Sequence, residues 1–109
     1  MNSNVKIVVF VPLTHTDIVR EAIGDAGAGI IGNYSHCTFS SVGTGRYKPL
    51  EGAKPAIGEV GKYEEVEEER VEFVCPKDKA HQVIEAIKKV HPYEEVAFDI
   101  YPLISEEEL

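Results

Sequence analysis

The sequence predicts an α+β fold in which a four-stranded antiparallel sheet carries two helices on one face. Three observations lead to this prediction: short runs rich in β-branched residues that end at proline, two segments with helical apolar spacing, and their order along the chain. That order is strand, helix, strand, strand, helix, strand. Because crossover connections are right-handed, the first and third strands should lie at the centre of the sheet.

The first half of the chain contains the first strand and the first helix. Val5–Pro12 has apolar side chains on both pleat faces, which is typical of a central strand covered on both sides. The helix that follows is predicted to begin at Thr14, with this threonine as its cap and Asp17 at the acidic position of a capping box. A second strand is predicted over residues 36–42, which are rich in hydroxyl and β-branched side chains.

The middle of the chain is predicted to be a long connection and a returning strand. Residues 43–61 contain glycine or proline at seven positions and are too interrupted for a helix. The third strand is predicted to follow as an extended arm, and residues 70–75 form the end of it that faces the core. The acidic stretch 64–69 is interpreted as a solvated part of the hairpin rather than as a binding tail.

The last third of the chain completes the ferredoxin-like βαββαβ order in a single domain over residues 1–109. Residues 77–90 are predicted as the second helix, since apolar residues recur there at three- and four-residue steps. A last strand over residues 96–101 is closed by Pro102. The acidic residues 105–109 are expected to form a frayed tail.

The first strand also predicts self-association. Two helices cover only one face of a sheet, yet Val5–Val11 is apolar on both of its sides. A second copy of the chain is the expected cover for the other face. Assembly into a homo-oligomer is therefore predicted from the pattern.

Composition excludes several classes of partner. The formal net charge of −8 over 109 residues argues against nucleic acid and against anionic membranes, since both require a basic surface. No apolar run approaches the roughly 20 residues of a membrane span. Cys37 and Cys75 form no C-x-x-C motif and are predicted to be reduced, partly buried thiols. The chain is expected to be cytoplasmic.

Two stretches of the sequence carry a family resemblance. The first is GNYSHCTF at residues 32–39, followed by GTGRYKPLEG at residues 43–52, and the second is HPYEEVAFD at His91–Asp99. Together they resemble the inserted middle domain of the YqfO-type Nif-three-like (NGG-interacting-factor-three) family. The resemblance implies a CutA/PII-like fold, a trimer formed through the sheets, and a free-standing version of that insert. The family's two-metal site lies in a flanking core that is missing here, so its hydrolase activity is not expected of this chain.

Candidate metal ligands occur at two places. His36 and Cys37 are suitable ligands for zinc or copper, but adjacent strand residues point to opposite faces, and a hydrogen-bonded histidine is the favoured interpretation of His36. His91, Glu94 and Glu95 lie on a bent backbone after the second helix and could bind a divalent ion together. An equally weighted alternative is structural, with His91 near the helix C-terminus and Glu94 accepting from turn amides.

Candidate ligand-binding residues lie in the glycine-rich connection. Gly43, Gly45, Arg46 and Lys48 offer backbone amides, a guanidinium and an ammonium, which suit a phosphate or carboxylate. The pattern is not a P-loop, because no Gly-Lys-Ser/Thr ends it. The competing interpretation is a mobile hairpin loop in which glycine only permits turns.

No catalytic residue is predicted, since no serine has a recognisable nucleophile context. The leading hypothesis is a non-catalytic, oligomeric binding or regulatory domain of the PII/CutA-like type, with a small effector or a protein as its partner. The alternative is a CutA-like protein that binds a divalent metal ion.

Overall fold

The structure is a computed structural model that describes residues 3–109. Its strands and α-helices are β1 (Asn4–Pro12), α1 (Thr16–Asp25), β2 (Phe39–Tyr47), β3 (Glu64–Pro76), α2 (Ala80–Val90) and β4 (Phe98–Pro102). The sheet order is β2-β3-β1-β4, and every neighbouring pair is antiparallel. The predicted fold class is confirmed, with the first and third strands at the centre. No helix within the described residues is long and apolar enough to cross a membrane.

The core lies between one face of the sheet and the two helices. Odd-numbered residues of β1 and β3 face it, and so does the even-numbered Phe98 of β4, because side chains alternate across a strand. Helix residues at three- and four-residue spacing meet them from α1 and α2. Members of this core that are fully or almost fully buried include Ile7, Val9, Val11, Val19, Ile23, Val71, Val83 and Ile87. Each contributes roughly 1.5–3 kcal/mol of burial free energy, which makes this face the main source of stability.

Both α-helices begin after a short 3₁₀ turn. Leu13–His15 forms this turn before α1, and the Thr14 hydroxyl hydrogen-bonds to Nδ1 of His15 at 2.8 Å. No side-chain cap precedes α1, so the predicted capping box at Thr14 is wrong. The second predicted helix, residues 77–90, is a 3₁₀ turn followed by α2.

Strand β2 begins and ends later than predicted. The strand was expected over residues 36–42, but pairing with β3 runs from Phe39 to Tyr47, opposite Glu72 to Glu64. Gly43 and Gly45, which are predicted to lie in the connection, therefore belong to this strand. A side chain at Gly45 would collide with the carboxylate of Glu68, so packing explains that glycine. The true connection is residues 48–63.

The sheet face opposite the helices carries more charge than predicted. Val8 lies on this face and is nevertheless fully buried within the chain. Glu72 pairs there with Lys6 at 3.9 Å and with Arg70 at 3.0 Å. The expectation that β1 leaves an uncovered apolar stripe is therefore wrong, and the main exposed aromatic group on this face is Phe39, at 70%.

Candidate ligand-binding pocket

A cavity of about 530 Å³ lies beside the end of β1, on the sheet face opposite the helices. Phe10, Gly45, Tyr47 and Glu68 come from the sheet. The other walls come from the β2–β3 connection and from the segment between α2 and β4. The remaining lining residues are Arg46 from β2 and, from these two segments, Lys48, Pro49, Ala53, Pro55, Ala56, Ile57, Tyr93, Glu94, Glu95 and Ala97. The volume is in the range of small-molecule sites, which is about 300–1,000 Å³.

Hydrogen bonds hold the β2–β3 connection in place as a wall of this pocket. The Tyr47 hydroxyl donates to the carbonyl oxygen of Ile57 at 2.7 Å. The amide of Lys54 donates to Oε1 of Glu94 at 2.8 Å, which joins the connection to the segment after α2. Two polar contacts from separate parts of the chain thus hold this wall, although it contains no regular secondary structure.

Glu68 places a buried carboxylate in the pocket. Its residue is 8% exposed, and the Tyr93 hydroxyl donates to Oε2 at 2.9 Å. Over residues 3–109, no Lys, Arg or His nitrogen lies within 4.0 Å of this carboxylate. The prediction that residues 64–69 are all solvated is wrong at Glu68. Phe10 pairs with Arg70 in the register of β1 and β3, and strand alternation from Arg70 then places Glu68 on the same face as Phe10.

His91 is buried with both ring nitrogens engaged. Nε2 donates to the Phe10 carbonyl oxygen at 2.8 Å, and Nδ1 accepts from the amide of Tyr93 at 3.1 Å. Only the neutral tautomer with the proton on Nε2 satisfies both bonds. Burial lowers the pKa of His91 below its usual value, which favours the same neutral form. A metal ion could bind this ring only by displacing one of the two partners.

The two pocket tyrosines stay protonated at neutral pH. Burial raises the pKa of Tyr93, and its hydrogen bond to the Glu68 carboxylate raises that pKa further. Burial also raises the pKa of Tyr47, with the charge of Glu64 acting in the same direction. The two rings meet edge to face with centroids 6.2 Å apart. Each hydroxyl therefore keeps its proton and donates it, that of Tyr47 to Ile57 and that of Tyr93 to Glu68.

The predicted metal ligand His36 lies elsewhere, against the end of α1. Its Nε2 contacts Oδ1 of Asp25 at 3.0 Å, and its Nδ1 contacts the Ser35 hydroxyl at 2.9 Å. The ring lies over Gly24, and the residue adopts φ +58°. Sequence reasoning missed this Ser–His–Asp chain, which holds the loop before β2 against the helix. These three hydrogen-bonded residues are exposed and line no part of the pocket.

The structure does not gather the predicted metal ligands. His36 and Cys37 stand near the end of α1, whereas His91, Glu94 and Glu95 lie at or beside the pocket. Among residues 3–109, no group of three or more histidine, cysteine, aspartate or glutamate side chains is placed to hold a metal ion. Metal binding by these residues stays a prediction.

The predicted anion-binding residues are partly brought together. Gly45, Arg46 and Lys48 line the pocket, and Gly43 lines a smaller cavity of about 240 Å³ beside it. Their cations are already in contact with other groups. Nε of Arg46 lies 3.4 Å from the Glu65 carboxylate, and Nζ of Lys48 lies 5.0 Å from the centre of the Tyr63 ring.

Comparison with known proteins gives relatives that are much longer than this chain. No family model matches. The GTP cyclohydrolase 1 type 2 homolog of Halalkalibacterium halodurans is 57% identical over 103 residues, which is 94% of this chain and 28% of that protein. A solved Bacillus cereus protein related to NIF3 has a TM-score of 0.84 and 54% identity, over 95% of this chain and 26% of its own. The chain is similar to one segment of these longer proteins. It spans about a quarter of the length of these relatives, and the resemblance predicted from its two motifs is confirmed.

More distant structures share the fold of this chain. The periplasmic divalent cation tolerance protein CutA from Archaeoglobus fulgidus has a TM-score of 0.69 at 16% identity, over 95% of this chain and 89% of its own. GlnK from Bacillus subtilis has a TM-score of 0.61 at 16% identity, over 93% of this chain and 85% of its own. At such identities the likeness concerns the fold alone, and it confirms the predicted CutA/PII-like architecture.

Proposed function

We propose that this domain is a non-catalytic binding domain that takes a small effector into the pocket beside the end of β1. The observation that carries the proposal is the 530 Å³ cavity, whose mostly apolar walls surround the buried carboxylate of Glu68. Such a cavity, apolar with a few placed polar groups, is the usual form of a ligand site.

The state of the polar groups in the pocket favours binding over catalysis. His91 is the natural general base, but its Nδ1 already accepts from the Tyr93 amide and burial lowers its pKa. The hydroxyl of Tyr93 is committed to Glu68, and no serine, threonine or cysteine lines the cavity. A nucleophile with an adjacent free base, which covalent catalysis requires, is not found among the lining residues.

A pocket-filling substitution tests this function. Ala56 lines the cavity and is exposed, so Ala56→Trp should fill the space without disturbing the core. In a thermal-shift screen of small molecules, the compounds that stabilise the natural chain should lose their effect in this variant. Leu50→Trp is the matched control, since Leu50 belongs to the same connection, is 73% exposed and does not line the pocket. Ligands that bind both variants equally would contradict the proposal.

Self-association is the second part of the proposed function. The edge strand β2 leaves Phe39 and Val42 exposed at 70% and 65% on its two faces. Another copy of the chain would cover these side chains, and the CutA/PII-like resemblance favours a trimer. The two cysteines, which form no disulfide, favour the cytoplasm. Native mass spectrometry should show the trimer at micromolar concentration, and Phe39→Glu should dissociate it. A monomer in the natural chain would refute assembly.

Divalent metal binding is the alternative function, and the fold shared with a divalent cation tolerance protein favours it. Glu94 and Glu95 at the pocket would supply the ligands, because both ring nitrogens of His91 are engaged. Native mass spectrometry with zinc or copper decides this alternative. Uptake of one ion per chain that Glu94→Gln with Glu95→Gln abolishes would support it over the small-effector proposal.

A further inference from the structure

We infer that the ligand of this pocket is a small organic cation, such as an amine, amidine or guanidine on an apolar or aromatic body, with its charged nitrogen bound by Glu68. The inference rests on the proposed function, because it names the class of molecule that the same cavity takes. It departs from the anionic ligand that the glycine-rich motif suggests.

The first reason is that the donors on the aromatic and imidazole rings in and beside the cavity are all used. The hydroxyl of Tyr47 donates to Ile57, that of Tyr93 donates to Glu68, and the single ring proton of His91 goes to Phe10. A ligand atom that needs a donor therefore finds none on these three rings. Each phenol oxygen keeps lone-pair capacity, so the tyrosines offer acceptors only.

The second reason is the charge of Glu68. Oε2 accepts the Tyr93 proton, whereas Oε1 accepts no hydrogen bond from any residue between Ser3 and Leu109. No side-chain nitrogen or oxygen among the described residues is both fully buried and without a partner, so Oε1 keeps some accessible surface, and Glu68 is one of the residues that line the cavity. A carboxylate that is nine-tenths buried without a cation beside it is costly. An ammonium or amidinium group at Oε1 would supply the missing partner through a charge-assisted hydrogen bond.

The third reason is the character of the remaining surface. The aromatic rings of Tyr47 and Tyr93 line the cavity, and Glu94 and Glu95 add negative charge there, so both features favour a cation. The two cations of the pocket lining do not oppose this, since both are exposed and each already contacts another side chain: Arg46 pairs with Glu65, and Lys48 lies over Tyr63. The apolar wall residues accommodate the uncharged part of the molecule.

The test compares molecules of one shape and different charge. The probes are phenethylamine, benzylamine and benzamidine, with 2-phenylethanol, benzyl alcohol and phenylacetate as their neutral and anionic counterparts. Binding to the natural chain is measured by NMR titration at pH 7. The cations should bind at least about tenfold more tightly than the alcohols, which corresponds to one charge-assisted hydrogen bond. The carboxylate should bind more weakly than either.

Variants assign the preference to Glu68. In Glu68→Gln, the preference for amine over alcohol should fall to less than about twofold, whereas Glu94→Gln should keep most of it. If Glu68→Gln does not fold, the comparison of probes on the natural chain still decides. If alcohols bind as tightly as amines and this binding is lost in Ala56→Trp, the preference for a cationic ligand is refuted, but the proposed pocket is still supported. If no probe of any charge binds, the proposed function fails with it.

Discussion

Replacing Gly45 by alanine tests the contact on which the pocket depends. An alanine Cβ at this position would collide with the carboxylate of Glu68, and Gly45 does not have a positive φ. The carboxylate has to move to make room, and we expect this movement to break its hydrogen bond with the Tyr93 hydroxyl, 2.9 Å from its Oε2. A hydrogen bond to a charged group contributes about 1.5–3 kcal/mol, so this is the expected loss in the free energy of unfolding.

Gly43→Ala is the matched control for this substitution. Gly43 lies two residues earlier in β2, and a Cβ there meets nothing within 4 Å. Both changes remove glycine from a strand, which stabilises by about 0.5–1 kcal/mol, so this effect cancels in the comparison. The free energy of unfolding of Gly45→Ala should therefore be about 1.5–3 kcal/mol lower than that of Gly43→Ala.

Urea unfolding followed by circular dichroism, at one fixed protein concentration, measures this difference. Adding Tyr93→Phe to Gly45→Ala should cost little more, because both changes remove the same hydrogen bond. Equal stability of the two alanine variants would refute the packing of Glu68 over Gly45. Full additivity with Tyr93→Phe would refute the hydrogen bond as the cause.

Two further predictions concern the histidines. Burial lowers the pKa of His91 in the folded chain, so its contribution to stability is complete above the unfolded value of about 6.5 and is lost as pH falls through the folded pKa. His91→Gln should flatten the decline in stability below pH about 6.5, whereas replacing the exposed His81 should not; an unchanged decline in His91→Gln would refute the neutral form. Gly24→Ala should destabilise by about 1–3 kcal/mol because its Cβ would collide with the His36 ring. The double variant with His36→Ala should regain most of that loss in thermal unfolding, and no recovery would exclude the ring as the cause.

The elements of the fold could be predicted from sequence because their signals are local. The apolar spacing of α2 and the β-branched run of β1 are visible within about ten residues, and proline marks where β1 and β3 end. Strand β2 was placed too early because glycine at 43 and 45 is typical of loops. Pairing with β3 and the carboxylate of Glu68 decide that region, and both lie far away in sequence.

The candidate site could be predicted only in part. Gly45, Arg46 and Lys48 were expected to bind a ligand because of their residue types, and they do line the pocket. The groups at its centre, Glu68 and Tyr93, could not be found in this way. Their roles depend on a contact between β3 and the segment after α2, and the two residues lie 25 positions apart in the sequence. Glu68 also lies within an acidic run that has the composition of a solvated surface.

The most direct test of the central claim is a titration of the isotopically labelled chain with phenethylamine, followed in the ¹H–¹⁵N correlation spectrum. The pocket predicts saturable shifts centred on the amides of Lys54, Ile57, Tyr93 and Ala97, which lie in or beside its two outer walls. The same titration with Ala56→Trp should give none of them. Absent shifts, or shifts centred on His36 and the end of α1, would contradict the account.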